Sequence, residues 1–212
     1  MTNKIYALYL NLLQKYGNPE KIWPQWCARK KTAKDRELIA IGAILTQRTS
    51  WRNAHLALEN LKGENLLSFR NIAKLSNLEK LTDLIRPAGF YQTKPKRLYG
   101  LVSFIVQKYG NLNKFAEEDL GIARNKLLGL YGIGPETADT ILLYALDKPS
   151  FVIDEYTKRF VAKNLSLKNK DYDSLKKLFE NNLPKKIKVY QNYHTLIIVE
   201  QKGLKGSLME KL

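Results

Sequence analysis

An aspartate behind a short apolar run is the residue of this sequence best suited to electrostatic or acid–base chemistry. Asp154 follows the apolar segment 151–153 and precedes a helical pattern that begins at Glu155. This position predicts a helix N-cap, where main-chain N–H groups and the helix dipole favour the ionised carboxylate. An ionised carboxylate beside an apolar wall could stabilise a developing cation or orient a water molecule. A purely structural cap would use the same residue type, and that alternative stays open.

A glycine turn upstream of Asp154 indicates a site for an anion. Gly132-Ile133-Gly134 separates two apolar runs, and Pro135 suits the first position of the second helix, where its missing N–H is not needed. Both glycines can adopt φ > 0, so the chain can reverse here. The exposed N–H groups and the helix N-terminus would hold a phosphate without reading sequence. An ordinary helix–helix turn is the alternative, and Glu136 after it either serves a pocket or simply favours the helix dipole.

The elements that must position these residues are helices, because the apolar periodicity is helical almost throughout. One helix face is marked by Leu98, Leu101, Val102, Ile105 and Tyr109. We find no alternating runs joined by a hairpin dipeptide, so we predict an all-α fold of roughly ten short helices. The breaks are expected at Gly17-Asn18-Pro19, Lys62-Gly63, Arg86 to Gly89, Gly110-Asn111, Gly132 to Gly134, Asp147 to Pro149 and Leu183-Pro184.

The composition favours a polyanionic partner. The 212 residues carry 36 Lys and Arg against 20 Asp and Glu, a formal net charge of +16. Nucleic acid is the first candidate and an anionic membrane surface the second, unless the whole proteome is basic. The single cysteine, Cys27, and two histidines offer no convincing metal site. No apolar run is long enough to span a membrane, so we expect a cytoplasmic protein, nucleoid-associated if the source is prokaryotic.

Four segments taken together resemble the endonuclease III superfamily of helix–hairpin–helix DNA base-excision glycosylases. Residues 127–160, "LLGLYGIGPETADTILLYALDKPSFVIDEYTKRF", match its L-x-G-[IV]-G-x-x-[TS]-A hairpin, apolar helix and downstream Asp. "AIGAILTQRTS" (40–50) is similar to its L-[ST]-x-Q segment and "AGFYQTKPKRL" (88–98) to its G-x-[YF]-x-x-K segment. "YHTLIIV" (193–199) is similar to its final core helix. The combination is far more specific than any one piece.

Two departures from the family pattern narrow the resemblance. Bifunctional members carry a catalytic lysine in the hairpin helix, where this sequence has Pro135 or Glu136. A carboxylate cannot form a Schiff base, so no β-lyase activity is expected. The four cysteines of the family's iron–sulfur cluster are also missing, so no cofactor or metal is expected. Both departures resemble the monofunctional 3-methyladenine DNA glycosylase III branch, with its hairpin G-I-G-x-E-[ST]-A-D and its Trp-Pro, here Trp23-Pro24.

The resemblance implies two helical lobes with an active-site cleft between them. The first lobe would comprise residues 32–146, with the helix–hairpin–helix at about 123–146. The second would be formed by both termini, residues 1–31 and 147–212. Asp154 would be catalytic, stabilising the oxocarbenium ion and activating water. The remaining expected site residues are, for the base pocket, Trp23, Pro24, Trp51, Glu136 and Lys202, and, for DNA binding, Gln47, Gly132, Ile133, Gly134, Thr137, Lys94, Lys96, Arg97 and Lys158.

Several of these roles have structural alternatives. Gln47 would fill the stack vacated by the flipped nucleotide, or be a surface helix residue. Trp23 and Trp51 would stack on a cationic base, or be core aromatics. His194 is interpreted as a core histidine rather than a catalyst.

The predicted function is a monofunctional DNA glycosylase of base excision repair that removes alkylated purines such as 3-methyladenine. The expected partner is double-stranded DNA containing a damaged base, and a monomer is expected. The alternatives are a mismatch thymine or oxidised-base glycosylase and a non-catalytic helix–hairpin–helix DNA-binding protein. Neutral bases would need more leaving-group activation and more hydrogen-bond donors than a cationic purine, which distinguishes the first alternative.

Overall fold

The computed structural model describes residues 2–21, 27 and 30–203, and the side chains of these residues except 2, 3 and 21. Helices are the regular secondary structure and no strand occurs in these ranges, which confirms the all-α prediction. The α-helices are α1 (Thr2–Tyr16), α2 (Ala33–Leu45), α3 (Trp51–Gly63), α4 (Phe69–Ala73), α5 (Glu79–Ile85), α6 (Lys94–Tyr109), α7 (Leu112–Phe115), α8 (Leu120–Leu128), α9 (Pro135–Thr140), α10 (Glu155–Leu165), α11 (Tyr172–Glu180) and α12 (Ile187–Lys202). None of the described helices is long and apolar enough to cross a bilayer.

The helices end at every break expected from glycine and proline, and at further positions that carry neither. The further breaks lie at 46–50, 74–78, 116–119 and 166–171. In two of these four, non-glycine residues adopt the left-handed conformation: Arg48 (φ 50°) in the first, and Ser166 (φ 56°) and Asn169 (φ 54°) in the last. Short polar side chains such as those of Ser166 and Asn169 tolerate positive φ better than most. The additional breaks make the helices more numerous than predicted.

The described chain forms two compact units. Residues 30–146 form the first, which we call the hairpin unit because it contains α8 and α9. Residues 2–21, 27 and 147–203 form the second, which we call the terminal unit. Each unit has its own apolar core.

The core of the hairpin unit is built around α2. A capping box begins this helix: the Thr32 hydroxyl accepts from the Asp35 N–H, and the Asp35 carboxylate accepts from the Thr32 N–H at 2.8 Å. The second half of α2, residues 39–45, is buried without interruption. It packs against a π-helical turn, Ile141–Ala145, which continues α9. The Leu146 N–H donates to the Ile141 carbonyl at 3.0 Å, the i to i+5 bond of such a turn.

The core of the terminal unit is built around α12, whose residues 190–199 are all buried. This helix packs against α1 and α10. The Tyr193 hydroxyl donates to the Ile5 carbonyl at 3.1 Å, and the Tyr9 and Tyr193 rings lie 5.2 Å apart. The unbroken run of buried residues places α12 at the centre of the unit, although four of them, Gln191, Asn192, His194 and Thr195, are polar.

Candidate functional site

The segment that leads to Asp154 is held in place by α11. The Phe151 N–H donates to the Glu180 carboxylate at 2.8 Å, and Lys176 donates to the Phe151 carbonyl at 3.3 Å. The Phe151 ring stacks on Phe179, with 4.2 Å between centroids. Main-chain bonds and ring packing therefore fix the backbone directly before Asp154.

Asp154 is the N-cap of α10, and its two carboxylate oxygens have different partners. Oδ1 accepts from the Thr157 N–H at 2.7 Å, while Oδ2 lies 3.3 Å from His194 Nε2. The side chains of Asp154 and His194 are 14% and 7% exposed. A capping aspartate needs no histidine, so the pairing goes beyond the structural role of a cap.

The surroundings of Asp154 favour its ionised form. Burial alone would raise the pKa of the carboxyl, but the positive charge of protonated His194 and the hydrogen bond from the Thr157 N–H outweigh it and hold the pKa of Asp154 below its ordinary value. At neutral pH the group is a carboxylate with little water around it. Such a charge acts strongly on a cation that develops nearby.

Lys202 interacts electrostatically with this carboxylate and also lies near the ring of Tyr156. Lys202 Nζ lies 5.7 Å from the Tyr156 ring centroid. Burial lowers the pKa of Lys202, and the negative charge of Asp154 opposes part of that shift. Lys202 was predicted for the base pocket, whereas His194 was interpreted as a core residue and Tyr156 was not considered. A histidine followed by an apolar run gives no signal of a partner forty residues away along the chain.

The glycine turn has the predicted helix–turn–helix form, with one difference. Gly132 has φ 73°, the left-handed region, but Gly134 has φ −88° and ψ 178°, an extended conformation open to any residue. The reversal therefore depends on Gly132 alone. Gly134 is the N-cap of α9 and forms no side-chain cap, and Ile133 is buried between the two glycines.

An ion pair between the two helices fixes the angle of the hairpin. Arg124 on α8 donates through Nε and Nη2 to the two oxygens of Asp139 on α9, at 2.9 and 3.1 Å. Asp139 is completely buried. A two-pronged guanidinium–carboxylate pair constrains orientation as well as distance, so it holds the helices on both sides of the turn.

Four of the residues predicted to contact DNA are joined in one hydrogen-bond network at the turn. Gln47 Nε2 donates to the Gly132 carbonyl at 3.0 Å and to the Thr137 hydroxyl at 2.9 Å. Arg97 Nη1 donates to Gln47 Oε1 at 2.6 Å. Arg97 is thus directed at protein groups, which differs from the phosphate contact expected of it.

Lys94 cannot be the phosphate contact predicted for it. Its side chain is completely buried, and Nζ donates to the carbonyls of Leu45 and Ala88, both at 2.7 Å. Burial lowers the pKa of Lys94 to about 8, and the charge of Arg97 acts in the same direction. The lysine joins the end of α2 to the turn before α6, because its flexible stem lets the cation reach carbonyls that the helices leave unpaired.

The other predicted residues lie at different degrees of exposure. Lys96, Lys158 and Glu136 are exposed, and Trp51 is partly exposed with its ring 6.2 Å from that of His55. Lys158 is 3.6 Å from Glu155, a long surface pair that leaves it available to a phosphate. Trp23 and Pro24 lie outside the described residues.

Two exposed aromatic residues were not anticipated. Tyr131, directly before Gly132, is 67% exposed, and Phe90 is 50% exposed with φ 47°. Large exposed rings beside basic side chains are suited to stacking on nucleic-acid bases. Within the described ranges, no group of three or more His, Cys, Asp or Glu side chains could hold a metal ion.

The fold agrees with comparisons to known proteins. Residues 41–185 match the model of the HhH-GPD superfamily base excision DNA repair proteins, and the chain belongs to this family. It is 46% identical over 197 residues, 92% of this chain and 85% of the relative, to a Methanocaldococcus jannaschii protein provisionally named as a DNA repair glycosylase. It is 31% identical over 121 residues, 57% of this chain and 53% of the relative, to endonuclease III of Thermotoga maritima.

Comparison with solved structures identifies the same fold in known DNA repair enzymes. A crystal structure of H. pylori 3-methyladenine DNA glycosylase (MagIII) bound to 1,N6-ethenoadenine superposes with a TM-score of 0.79, at 26% identity over 96% of this chain and all of that one. A non-covalent endonuclease III–DNA complex shares the fold, with a TM-score of 0.69 at 17% identity over 94% of this chain and 85% of that one. The protein is thus a DNA glycosylase of the base excision repair type, as predicted from the hairpin and Asp154 segments.

Proposed function

We propose that the protein is a monofunctional glycosylase that releases alkylated purines, 3-methyladenine among them, from double-stranded DNA. The observation that carries the proposal is the buried, ionised Asp154 paired with His194, in a chain whose hairpin helix has Glu136 where bifunctional relatives have lysine. The likeness to the H. pylori 3-methyladenine enzyme supports the same substrate class.

The first step is binding of the DNA backbone, followed by extrusion of the damaged nucleotide. The turn offers the main-chain N–H groups of Gly132 and Gly134, since that of Ile133 donates to the Leu130 carbonyl at 3.1 Å, and Lys96 and Lys158 offer exposed charge. Contacts of this kind hold any sequence, as a repair enzyme requires. Unstacking a damaged base also requires less free energy than unstacking an intact one, which contributes to selectivity.

The second step is cleavage of the glycosidic bond. As the bond from C1′ to the base nitrogen lengthens, positive charge develops on the sugar, and the Asp154 carboxylate stabilises it. The same carboxylate orients a water molecule, which adds to C1′ and passes a proton to the carboxylate, while the base leaves with the bonding electron pair. His194 keeps the carboxylate ionised and oriented. Alkylation at N3 or N7 makes the purine a cation, so it leaves without a strong acid.

The pocket for such a base would use rings rather than many hydrogen-bond donors. We assign this role to Trp23, Pro24 and Trp51. Glu136 would supply a negative charge, and Lys202 would limit the repulsion between the carboxylates of Glu136 and Asp154. A cationic purine gains from ring stacking through cation–π attraction, which a neutral thymine or oxidised guanine does not. The pocket composition therefore favours alkylated purines over the mismatch or oxidised-base alternatives.

Base release from methylated duplex DNA tests the substrate class. The duplex is incubated with the protein, and the freed bases are separated by chromatography, with thymine-mismatch and 8-oxoguanine duplexes in parallel. We expect 3-methyladenine or 7-methylguanine to be released and the other duplexes to stay intact. Release of thymine or 8-oxoguanine alone would reassign the substrate. Tight DNA binding without any release would favour a non-catalytic protein.

Borohydride trapping tests the monofunctional assignment separately. With hydrolysis by water, the enzyme forms no imine with the sugar, so borohydride leaves no covalent protein–DNA adduct. Glu136→Lys is the matched variant, because it places an amine where bifunctional relatives carry one. Efficient trapping with the unchanged protein contradicts the assignment.

A further inference from the structure

The amide of Gln47 is fully engaged inside the hairpin unit. A glutamine amide has two N–H donors and one carbonyl acceptor. Both donors are used, towards the Gly132 carbonyl and the Thr137 hydroxyl, and the acceptor receives the Arg97 guanidinium. A side chain that inserted into DNA would have to leave all three partners.

Arg97 fills the space directly behind the turn. A Cβ on Gly132 would stand 2.6 Å from Arg97 Cγ, so the arginine stem occupies the place that a side chain would take. Arg97 forms no ion pair with a carboxylate among the described residues, and its buried Nε has no acceptor there. Its short bond to Gln47 is therefore the interaction that directs the guanidinium.

Gly132 completes the arrangement. Its positive φ turns its carbonyl towards Gln47, and its missing Cβ leaves room for Arg97. The turn, the glutamine and the arginine come from three separate stretches of the hairpin unit. Each contact depends on the other two, as expected of residues that hold one backbone conformation in place.

We propose that Gln47 and Arg97 form a brace that holds the hairpin turn in its DNA-binding conformation, and that this is the contribution of Gln47 rather than insertion into the base stack. Both are positioning residues that act through the main-chain N–H groups of Gly132 and Gly134. The inference rests on the proposed function only in taking DNA as the ligand of the turn.

A double-mutant cycle tests the brace. Gln47→Leu removes the three hydrogen bonds at similar volume, and Arg97→Met keeps the arginine stem without the guanidinium. Affinity for undamaged duplex is measured by fluorescence anisotropy. Each single variant is expected to bind about tenfold more weakly, and the double variant about tenfold rather than a hundredfold, because partners in one network are not additive. Additive losses contradict the brace.

The salt dependence separates a brace from a phosphate contact. Lys96→Met, an exposed lysine on the same helix as Arg97, should reduce the slope of log affinity against log salt by about 0.9, because one phosphate contact is lost. Arg97→Met should weaken binding without changing that slope. A reduced slope in Arg97→Met would return this residue to the phosphate contacts and overturn the proposal.

Base flipping separates a brace from a stack filler. With 2-aminopurine beside the lesion, the fluorescence of saturated complexes and their single-turnover excision rate should change by less than about threefold in Gln47→Leu, because the loss lies in binding. Normal binding of undamaged duplex with a large loss of flipping identifies a stack filler instead.

Thermal unfolding confirms that the variants are folded, and Gln47→Asn, which is too short for all three bonds, replaces Gln47→Leu if that variant does not fold. The affinity measurements use undamaged DNA, so they decide about the brace even if no methylated purine is released.

Discussion

The N-termini of α9 and α10 begin with nearly the same backbone conformation and serve opposite purposes. Gly134 caps α9 with φ −88° and ψ 178°, and Asp154 caps α10 with φ −90° and ψ −178°. Gly134 brings no side chain, so the turn before α9 presents main-chain groups at an exposed surface. Asp154 bonds its own helix through Oδ1 and directs its second oxygen at His194 in a buried setting.

In the proposed mechanism, the side chain at the cap, rather than the backbone, decides which group faces the ligand. The ligand of the turn before α9 would meet main-chain N–H groups, which suit a phosphate and read no sequence. The ligand at Asp154 would meet a carboxylate, whose Oδ1 already accepts from the Thr157 N–H, and a carboxylate suits a developing cation. Substitutions at the two caps and at their partners should therefore affect different steps.

The largest expected effect is on catalysis at the Asp154 cap. Asp154→Asn should reduce the single-turnover excision rate on the order of 10³-fold while DNA affinity and folding persist, because asparagine is an equally good N-cap but carries no charge. The rate is measured with excess enzyme on a duplex containing one methylated purine.

Asp171 provides the matched control for that prediction. It caps α11 by accepting from the Ser174 N–H at 2.9 Å, but it is exposed. Asp171→Asn should leave the excision rate within about twofold of the original. Equal losses in the two variants would mean that Asp154 acts only as a cap.

The second-largest expected effect is on DNA binding by the turn before α9. Gly132→Ala should destabilise the protein by about 2 kcal/mol and weaken DNA binding at least about tenfold, because alanine disfavours φ 73° and would displace Arg97. Gly134→Ala meets no atom within 4 Å, and alanine accepts its extended backbone. It should cost under about 1 kcal/mol, the usual difference at an N-cap. Fluorescence anisotropy measures the DNA affinity of both variants, and thermal unfolding measures their stability. Similar losses of affinity and stability in both variants would contradict the assignment of the turn to Gly132.

A smaller effect on the excision rate is expected from substitution of His194, which pairs with Asp154. His194→Gln should slow excision about tenfold and move its acid limb to higher pH, because loss of the histidine charge leaves burial to raise the pKa of Asp154. The measurement is the single-turnover rate between about pH 3 and 8, a range that extends below the ordinary pKa of an aspartate. His55→Gln, the other histidine, is the control for the position of the limb. An unmoved limb in His194→Gln would show that the pairing does not tune the carboxylate.

The smallest effect is on stability in acid. The folded-state pKa of Asp154 lies below its ordinary value, so the ionised group contributes stability that is present above the unfolded-state pKa, near 3.9, and lost as the pH falls through the folded-state value. The gap in unfolding free energy between the original protein and Asp154→Asn should therefore shrink from pH 6 to pH 3. Urea unfolding at four pH values measures it, and a constant gap argues against the lowered pKa.

The local parts of the fold were predictable because they depend on neighbouring residues. Gly132 and Pro135 predict the hairpin through φ and the missing N–H, and the residues around Asp154 predict a helix cap. The breaks without glycine or proline, such as that at Arg48, were missed because several residue types can adopt positive φ when the tertiary structure requires it.

The sequence by itself determined that the chain is helical, that it has a hairpin suited to phosphate, and that a carboxylate stands at a helix start. Only the tertiary structure decided that Lys94 is buried against two carbonyls, that Arg97 and Gln47 stand behind the turn, and that His194 faces Asp154. Charge and spacing are local properties of a chain. Which lysine reaches solvent and which histidine meets a carboxylate depend on the packing of helices far apart in sequence, where every buried polar group must find its partner.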